Sequence, residues 1–313
     1  MSTLEATTAT ERAGGIELTA GDYRAVIDQR GAALQQLTFG DRDIVWSYAP
    51  DHGPTAFQGQ ILAPWPNRIE DGRYLFDGVD HQLDINEAAR NNAIHGLVYS
   101  HTWTPTTVSP SHADLSLHLA DTPGYPFNLA MTVSYDLDAD TGLTVEIAAR
   151  NTGERPAPYG VSSHPYLTLG TRLDNATLAL PGEEYLPTNE RLLPAGAPKS
   201  VEGSERDFLT ARRIGPTVLD TAFTGLRRDS EGLTWTVLSE ESFAVAMWAD
   251  DSYPWLQVFT SDTLPPDHQR GQLAVEPMTC PPNAFVSGTD LTVLAPGEST
   301  RSRHGIRRLA TTG

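Results

Sequence analysis

Two runs near the middle of the chain alternate strictly between apolar and polar residues, and that period of two restricts the fold more than any other feature. Across residues 129–137, Met131, Val133, Tyr135 and Leu137 alternate with Thr132, Ser134 and Asp136. Across 143–149, Leu143, Val145 and Ile147 alternate with Thr144 and Glu146, and the residues between the runs include Asp138, Asp140 and Gly142. Successive side chains of a strand point to opposite faces, so each run has one face for a core and one for water. The intervening residues suit a turn, and the pair is expected to form an antiparallel hairpin.

The pattern recurs along the chain. Further strands are expected at 23–27, 33–39, 44–46, 115–119, 233–237, 243–247, 256–258 and 291–293. A short hairpin is expected from 74–76, through Asp77-Gly78, to 81–83. The 26 glycines and 23 prolines exceed the combined share of roughly 12% in an average chain, which suits many strands and turns. Only 84–89 and 206–213 read as helical turns. The expected fold class is all-β, a large antiparallel β-sandwich, with 1–14 as a weakly ordered polar leader and 15–313 as a single domain.

Charge and composition exclude several functions. A net charge of -18 repels nucleic acid and anionic membranes but leaves neutral small molecules unaffected. Cys280 is the single cysteine, so there is neither a disulfide framework nor a multi-thiolate zinc site. The first residues carry no basic or apolar signal segment and no run is long enough for a membrane helix, so a cytoplasmic protein is expected. His112 and His118 lie on or beside a β-run and His-Glu-x-x-His is absent, so no metal or other cofactor is expected. Ser163 lacks a Gly-x-Ser-x-Gly elbow, and no glycine-rich phosphate loop is present.

The chemistry sits where the strand pattern breaks. Glu276 follows Leu273 and Val275 and precedes Pro277, which places a carboxylate at an expected strand end. It reads either as a catalytic group or as an edge charge that blocks sheet-to-sheet pairing. His164, in Ser162-Ser163-His164-Pro165-Tyr166, puts an imidazole at a strand end among small residues. Arg68, in the proline-bounded loop Ala63-Pro64-Trp65-Pro66-Asn67-Arg68, offers five fixed donors and no acid–base function near neutrality. Trp65 either packs or stacks on a sugar face. His95 precedes Gly96 and is read as structural or functional, and Asp220, between Leu219 and Phe223, as a turn cap or a ligand.

Taken in order, these residues resemble the aldose 1-epimerase (galactose mutarotase) family. The matching pieces are Pro66-Asn67-Arg68-Ile69 with Gly72, Tyr74, Phe76 and Gly78; Asn92 with Ile94-His95-Gly96; and Gly124-Tyr125-Pro126. They continue with His164-Pro165-Tyr166-Leu167, Leu219-Asp220 with Phe223, Val275-Glu276-Pro277 with Pro282, Asn283 and Phe285, and Leu294-Ala295-Pro296-Gly297-Glu298. Leu97 departs from the pattern, since many members have a second glycine there. The resemblance implies a galactose mutarotase-like β-sandwich acting without a cofactor on a free aldohexose such as glucose or galactose. It places the catalytic base at Glu276, the catalytic acid at His164, and substrate contacts at Arg68, His95 and Asp220. In that scheme His164 supplies a proton after a modest rise from about 6.5. A hexose-6-phosphate epimerase is the alternative within the superfamily and needs converging cations, for which the sequence offers Arg212-Arg213, Arg227-Arg228 and 301–308. A non-catalytic sugar-binding protein is the other, though binding alone does not call for both an acid and a base.

Overall fold

The computed structural model describes residues 15–120 and 122–310, and the expected leader at 1–14 lies outside them. The central hairpin forms as Leu129–Asp138 against Gly142–Asn151, with Met131 opposite Ala149, Val133 opposite Ile147 and Tyr135 opposite Val145. All six of these side chains are buried. Asp138 closes the turn: its Oδ1 accepts the N–H groups of Asp140 and Thr141, each at 2.9 Å. A local side-chain acceptor of this kind stabilises the turn backbone in place of a ladder bond.

The hairpin belongs to a nine-stranded antiparallel sheet in which Ser299–Leu309 lies between Gly142–Asn151 and Phe243–Ala249. An eight-stranded sheet contains, as neighbours, Asp220–Leu226, Trp255–Phe259, Leu273–Met278 and Ser162–Ser163. A four-stranded sheet spans Ile16–Ala20 to Arg42–Asp43. The described chain is 48% strand and 4% helix, an all-β fold. One buried apolar cluster joins Met131, Val145 and Ile147 of the first large sheet to Phe223, Leu256, Val258 and Val275 of the second. Each fully buried side chain of this size contributes roughly 1.5–3 kcal/mol.

One polar contact crosses that apolar layer. His304, on Ser299–Leu309, places Nε2 at 2.9 Å from Ser163 Oγ, one residue before His164. Burial pushes the His304 imidazole down to about 3, so near neutral pH it is an uncharged hydrogen-bonding group inside the core.

Three local expectations differ from the structure. Residues 206–213 form turns and the short strand Arg212–Arg213, because Asp207 Oδ1 bonds the Leu209 N–H and the Phe208 carbonyl accepts from Leu180, which diverts groups a helix would use. Residues 84–89 are not helical either: Asn86 bonds both backbone groups of Ile94, and Glu87 forms a bridge with Asn92. Residues 44–46 make only an isolated bridge, Val45 to Leu167, where the chain passes between sheets. The hairpin around Asp77-Gly78 forms as expected, with both turn residues at positive φ. The one α-helix among the described residues is Ala284–Ser287, and no described helix is long and apolar enough to cross a membrane.

Gly96 has φ 72°, and a Cβ built on it lies 2.1 Å from the Ala63 carbonyl oxygen, which already accepts the Leu97 N–H at 2.7 Å. Gly78 has φ 74° with no atom within 4 Å of its would-be Cβ. Gly78→Ala is therefore expected to lower the unfolding free energy by about 1 kcal/mol, the left-handed strain alone. Gly96→Ala adds the clash and should lose several times as much, about 3 kcal/mol or more. Urea unfolding of both variants checks this, and equal losses would remove the close-approach argument.

Candidate functional site

Glu276 sits within a central strand rather than at a sheet edge, which corrects the expectation of a strand-end carboxylate. All six residues of Leu273–Met278 are buried. On one side this strand pairs without interruption with Trp255–Phe259. On the other side its partner is broken: Ser162 pairs with Met278, then Tyr166 and Leu167 pair with Ala274 and Leu273. His164 and Pro165 occupy the break, with the Val275 N–H reaching the Pro165 carbonyl at 3.2 Å. Pro277 has no N–H to donate and lies against this interruption, so its presence in a central strand wastes no ladder bond.

The break brings two titratable groups together. His164 Nε2 lies 3.3 Å from Glu276 Oε1, with side-chain exposures of 5% and 3%. Burial pushes the His164 imidazole down to about 3, which overturns the upward shift expected from sequence. Burial also holds the Glu276 carboxyl well above its usual range; the charge of Asp220 adds to this and that of Arg68 opposes it. Each group alone resists being charged. Together they most readily hold a single proton between them.

Asp220, Gln257 and Glu276 share one face of three adjacent strands, since Gln257 is directly opposite both Ala222 and Glu276 and Asp220 is two residues from Ala222. Gln257 Nε2 donates to Asp220 Oδ1 at 2.6 Å. Burial raises the Asp220 carboxyl, with the Arg68 charge and this hydrogen bond opposing.

Arg68 and His95 arrive on a separate two-stranded ladder in which Arg68 pairs with Ile94. Asn67 and His95, just outside the ladder, both take positive φ, 52° and 66°, and the His95 N–H bonds the Asn67 carbonyl at 2.8 Å. Such left-handed non-glycine residues cost on the order of 1–3 kcal/mol each and persist where their surroundings determine them. The Asn283 N–H bonds the Arg68 carbonyl at 2.7 Å and its Oδ1 accepts the Glu70 N–H at 3.0 Å, which fixes this ladder to the loop after Glu276. Burial, then His164 and Arg68, holds His95 well below its usual range, so it too is neutral.

All five residues singled out from the sequence, Arg68, His95, His164, Asp220 and Glu276, line one cavity of about 210 Å³. Trp65 does not: it is 3% exposed and packs edge-on against Phe285. Glu87, Arg90, Gln257, Phe57 and Tyr166 line the cavity as well and were not singled out as site residues. Gln257 had a signal, being the polar residue between Leu256 and Val258 of an apolar strand. Glu87 lay in a stretch read as helical, and Phe57, at φ 60°, had none.

Glu87 is the counter-ion of the cavity arginine. Arg68 donates through Nε and Nη2 to the two Glu87 oxygens at 2.9 and 3.0 Å, a two-point contact with exposures of 9% and 14%. Arg90 Nη1 and Asn92 Nδ2 complete the Glu87 shell at 3.1 and 2.9 Å. Burial raises the Glu87 carboxyl, but Arg68, Asn92 and Arg90 outweigh it and hold the group below its usual range. Arg191 continues the network outward to Glu70 and Asp71.

A family model described as aldose 1-epimerase matches residues 15–307. The chain is 39% identical over 287 residues to the uncharacterized protein YihR of Escherichia coli K12, covering 91% of this chain and 90% of that one. It is 29% identical over 215 residues to an aldose 1-epimerase of the same organism, covering 66% and 61%. The solved structure of a GalM/aldose epimerase homologue from C. elegans superimposes with a TM-score of 0.86 at 19% identity, covering 96% and 99%.

Removing one member of a buried pair strands the other, which typically costs 3–5 kcal/mol. Glu87→Gln is accordingly expected to lower the unfolding free energy by about 3 kcal/mol. The double variant Arg68→Met/Glu87→Leu should lose less than the sum of its single changes, because neither charge is left alone. A double-mutant cycle in urea checks both, and simple additivity would contradict the pairing.

Proposed function

The chain belongs to the aldose 1-epimerase family, and from that premise we propose that it interconverts the α and β anomers of a free aldohexose of the glucose or galactose kind. The observation that carries this reading is the Glu276 carboxyl held 3.3 Å from the His164 imidazole in a polar cavity.

Ring opening needs one group to take the proton from the anomeric O1 hydroxyl and another to protonate the ring oxygen as its bond to C1 breaks. Glu276 as carboxylate performs the first and His164 as imidazolium the second, leaving a C1 aldehyde, a neutral carboxyl and a neutral imidazole. Rotation about C1–C2 presents the other face. Closure then returns the proton from Glu276 to O1 and takes the ring-oxygen hydroxyl proton back to His164. The pair holds one proton throughout, so each turnover resets it.

Burial of both groups favours the uncharged pair that accompanies the open aldehyde, while the Arg68 charge favours the ionised pair that accompanies the ring. Opposed preferences of this kind keep the proton transferable in both directions.

Arg68, His95 and Asp220 hold the hydroxyls in this reading. Three of the five Arg68 N–H donors are committed to Glu87 and Asn67, which leaves two for a ligand. The choice of a neutral sugar over a 6-phosphate is supported by charge: Arg68 and Arg90 share the cavity with Glu87, Asp220 and Glu276. Neither Arg212-Arg213 nor Arg227-Arg228 lines it, and Arg227 pairs with Glu183.

Polarimetry with α-glucose, α-galactose and glucose 6-phosphate, corrected for spontaneous mutarotation, tests the reaction. Turnover of the free sugars is expected, and efficient use of the phosphate alone would displace this reading. Glu276→Gln and His164→Asn should each lower kcat by about 10²-fold to 10⁴-fold. Wild-type corrected rates in both would remove the acid–base pair.

The pH profile follows from the signs of the shifts. His164, lowered, stays neutral until the pH falls through its depressed value; Glu276, raised, keeps its proton until the pH rises through its elevated one. Between these limits the pair holds one proton. The kcat/KM profile should thus be a broad bell, its acid limb well below 6.5 and its alkaline limb well above 4.5. An alkaline limb centred near 6.5, assigned to His164 by substitution, would contradict it.

A further inference from the structure

Three buried atoms in the cavity wall have no hydrogen-bond partner: His95 Nδ1, His164 Nδ1 and Glu276 Oε2. An unpaired buried carboxylate oxygen such as Glu276 Oε2 is rare in a folded protein, because each lost bond costs roughly 1–3 kcal/mol. The same three residues each offer a donor atom to one cluster, with all of those atoms within 4.8 Å of one another. His164 Nε2 and Glu276 Oε1, 3.3 Å apart, already match the edge of a tetrahedron with metal–ligand bonds of about 2.0–2.1 Å. The rings of His95 and His164 stand at 82° with centroids 5.3 Å apart, so their lone pairs approach from different directions.

We propose that His95, His164 and Glu276 form a site for a divalent transition-metal ion, Zn²⁺ in the first instance, and that the bound ion shuts the cavity off from its sugar. Two imidazoles and one carboxylate are a donor set that zinc accepts, with the fourth position left open toward the cavity. Magnesium and calcium prefer all-oxygen shells and should not compete.

The sequence concealed this site because its three ligands come from different elements, without the short spacing of a metal motif. Its affinity is set by what surrounds it. Metal-bound histidines usually donate their second ring nitrogen to a partner, a contact worth 10–100-fold in affinity. His95 Nδ1 and His164 Nδ1 have none among the described residues, which points to micromolar binding and a reversible ion rather than a resident one. Occupancy would engage both catalytic groups at once. That inhibitory half rests on the mutarotase reading above, whereas binding of the ion does not.

A surface cluster supplies the contrast. His112 meets Asp136 through Nδ1 at 2.7 Å and Asp114 through Nε2 at 3.2 Å, so its acids sit at opposite ring nitrogens and one ion cannot reach both.

The test is calorimetric titration of Zn²⁺ into chelator-treated full-length protein, with mutarotation measured over the same range of zinc. One equivalent should bind with micromolar affinity, and activity should fall over that range and return with a chelator. Glu276→Gln and His95→Asn should each weaken binding at least about tenfold, the least a coordinating residue should contribute given the worth of its outer partners. Two variants are used so that a folded one, judged by circular dichroism, remains; asparagine is chosen because it tolerates the positive φ at His95. His112→Gln should bind as wild type does. Absent saturable binding, or binding lost in His112→Gln but kept in both cavity variants, overturns the site. Binding without inhibition overturns the regulatory half. If wild type shows no mutarotation, the proposed function fails while the calorimetry still decides the metal.

Discussion

Glu276 is a carboxyl group held in a central strand and almost withdrawn from water, at 2% exposure. Ionising such a group costs several kcal/mol unless neighbours supply what water would. The surrounding architecture does so in part. A broken partner strand brings the His164 imidazole to one oxygen and the Arg68 charge favours the carboxylate, whereas the charge of Asp220, two strands away, opposes it. The nine-stranded sheet, through His304 and Ser163, braces the segment that carries the histidine. The compensation is incomplete, and the carboxyl therefore stays well above its usual range.

Arg68 supplies the opposing field and needs support of its own. Its partner Glu87 begins a chain of charges that runs through Arg90 and Asn92 to Arg191, then to Glu70 and Asp71 at the surface. The inner pair is nearly dry, while the Arg191–Asp71 pair is 34% and 55% exposed. Exposed pairs contribute about 0–1 kcal/mol and rearrange easily. The cavity arginine is therefore held firmly from behind, and the network loosens only toward solvent.

Much of the fold was legible in the chain. The alternation of Met131, Val133 and Tyr135 against Leu143, Val145 and Ile147 is a local property, because strand geometry alone sends successive side chains to opposite faces. The turn at Asp77-Gly78 is local for the same kind of reason. Residues 84–89 misled because Asn86 and Glu87 find their partners outside that stretch, at Ile94, Asn92 and Arg68, and side-chain bonds of this kind leave no periodicity in the sequence. Glu276 was legible as a residue of interest but not as a central-strand one, since the gap at His164 and Pro165 that accommodates Pro277 belongs to another part of the chain.

The amino-acid sequence by itself determined the all-β class, the places where strands turn, the family pattern and the five polar residues most worth following. The tertiary structure alone decided that those five share a cavity, that Glu87 holds the arginine among them, and that His164 and Glu276 are both buried enough to resist charge. The division follows from range: strand periodicity and turn preference act between neighbours in the chain, whereas burial, and with it the protonation of a buried pair, is a property of everything packed around them.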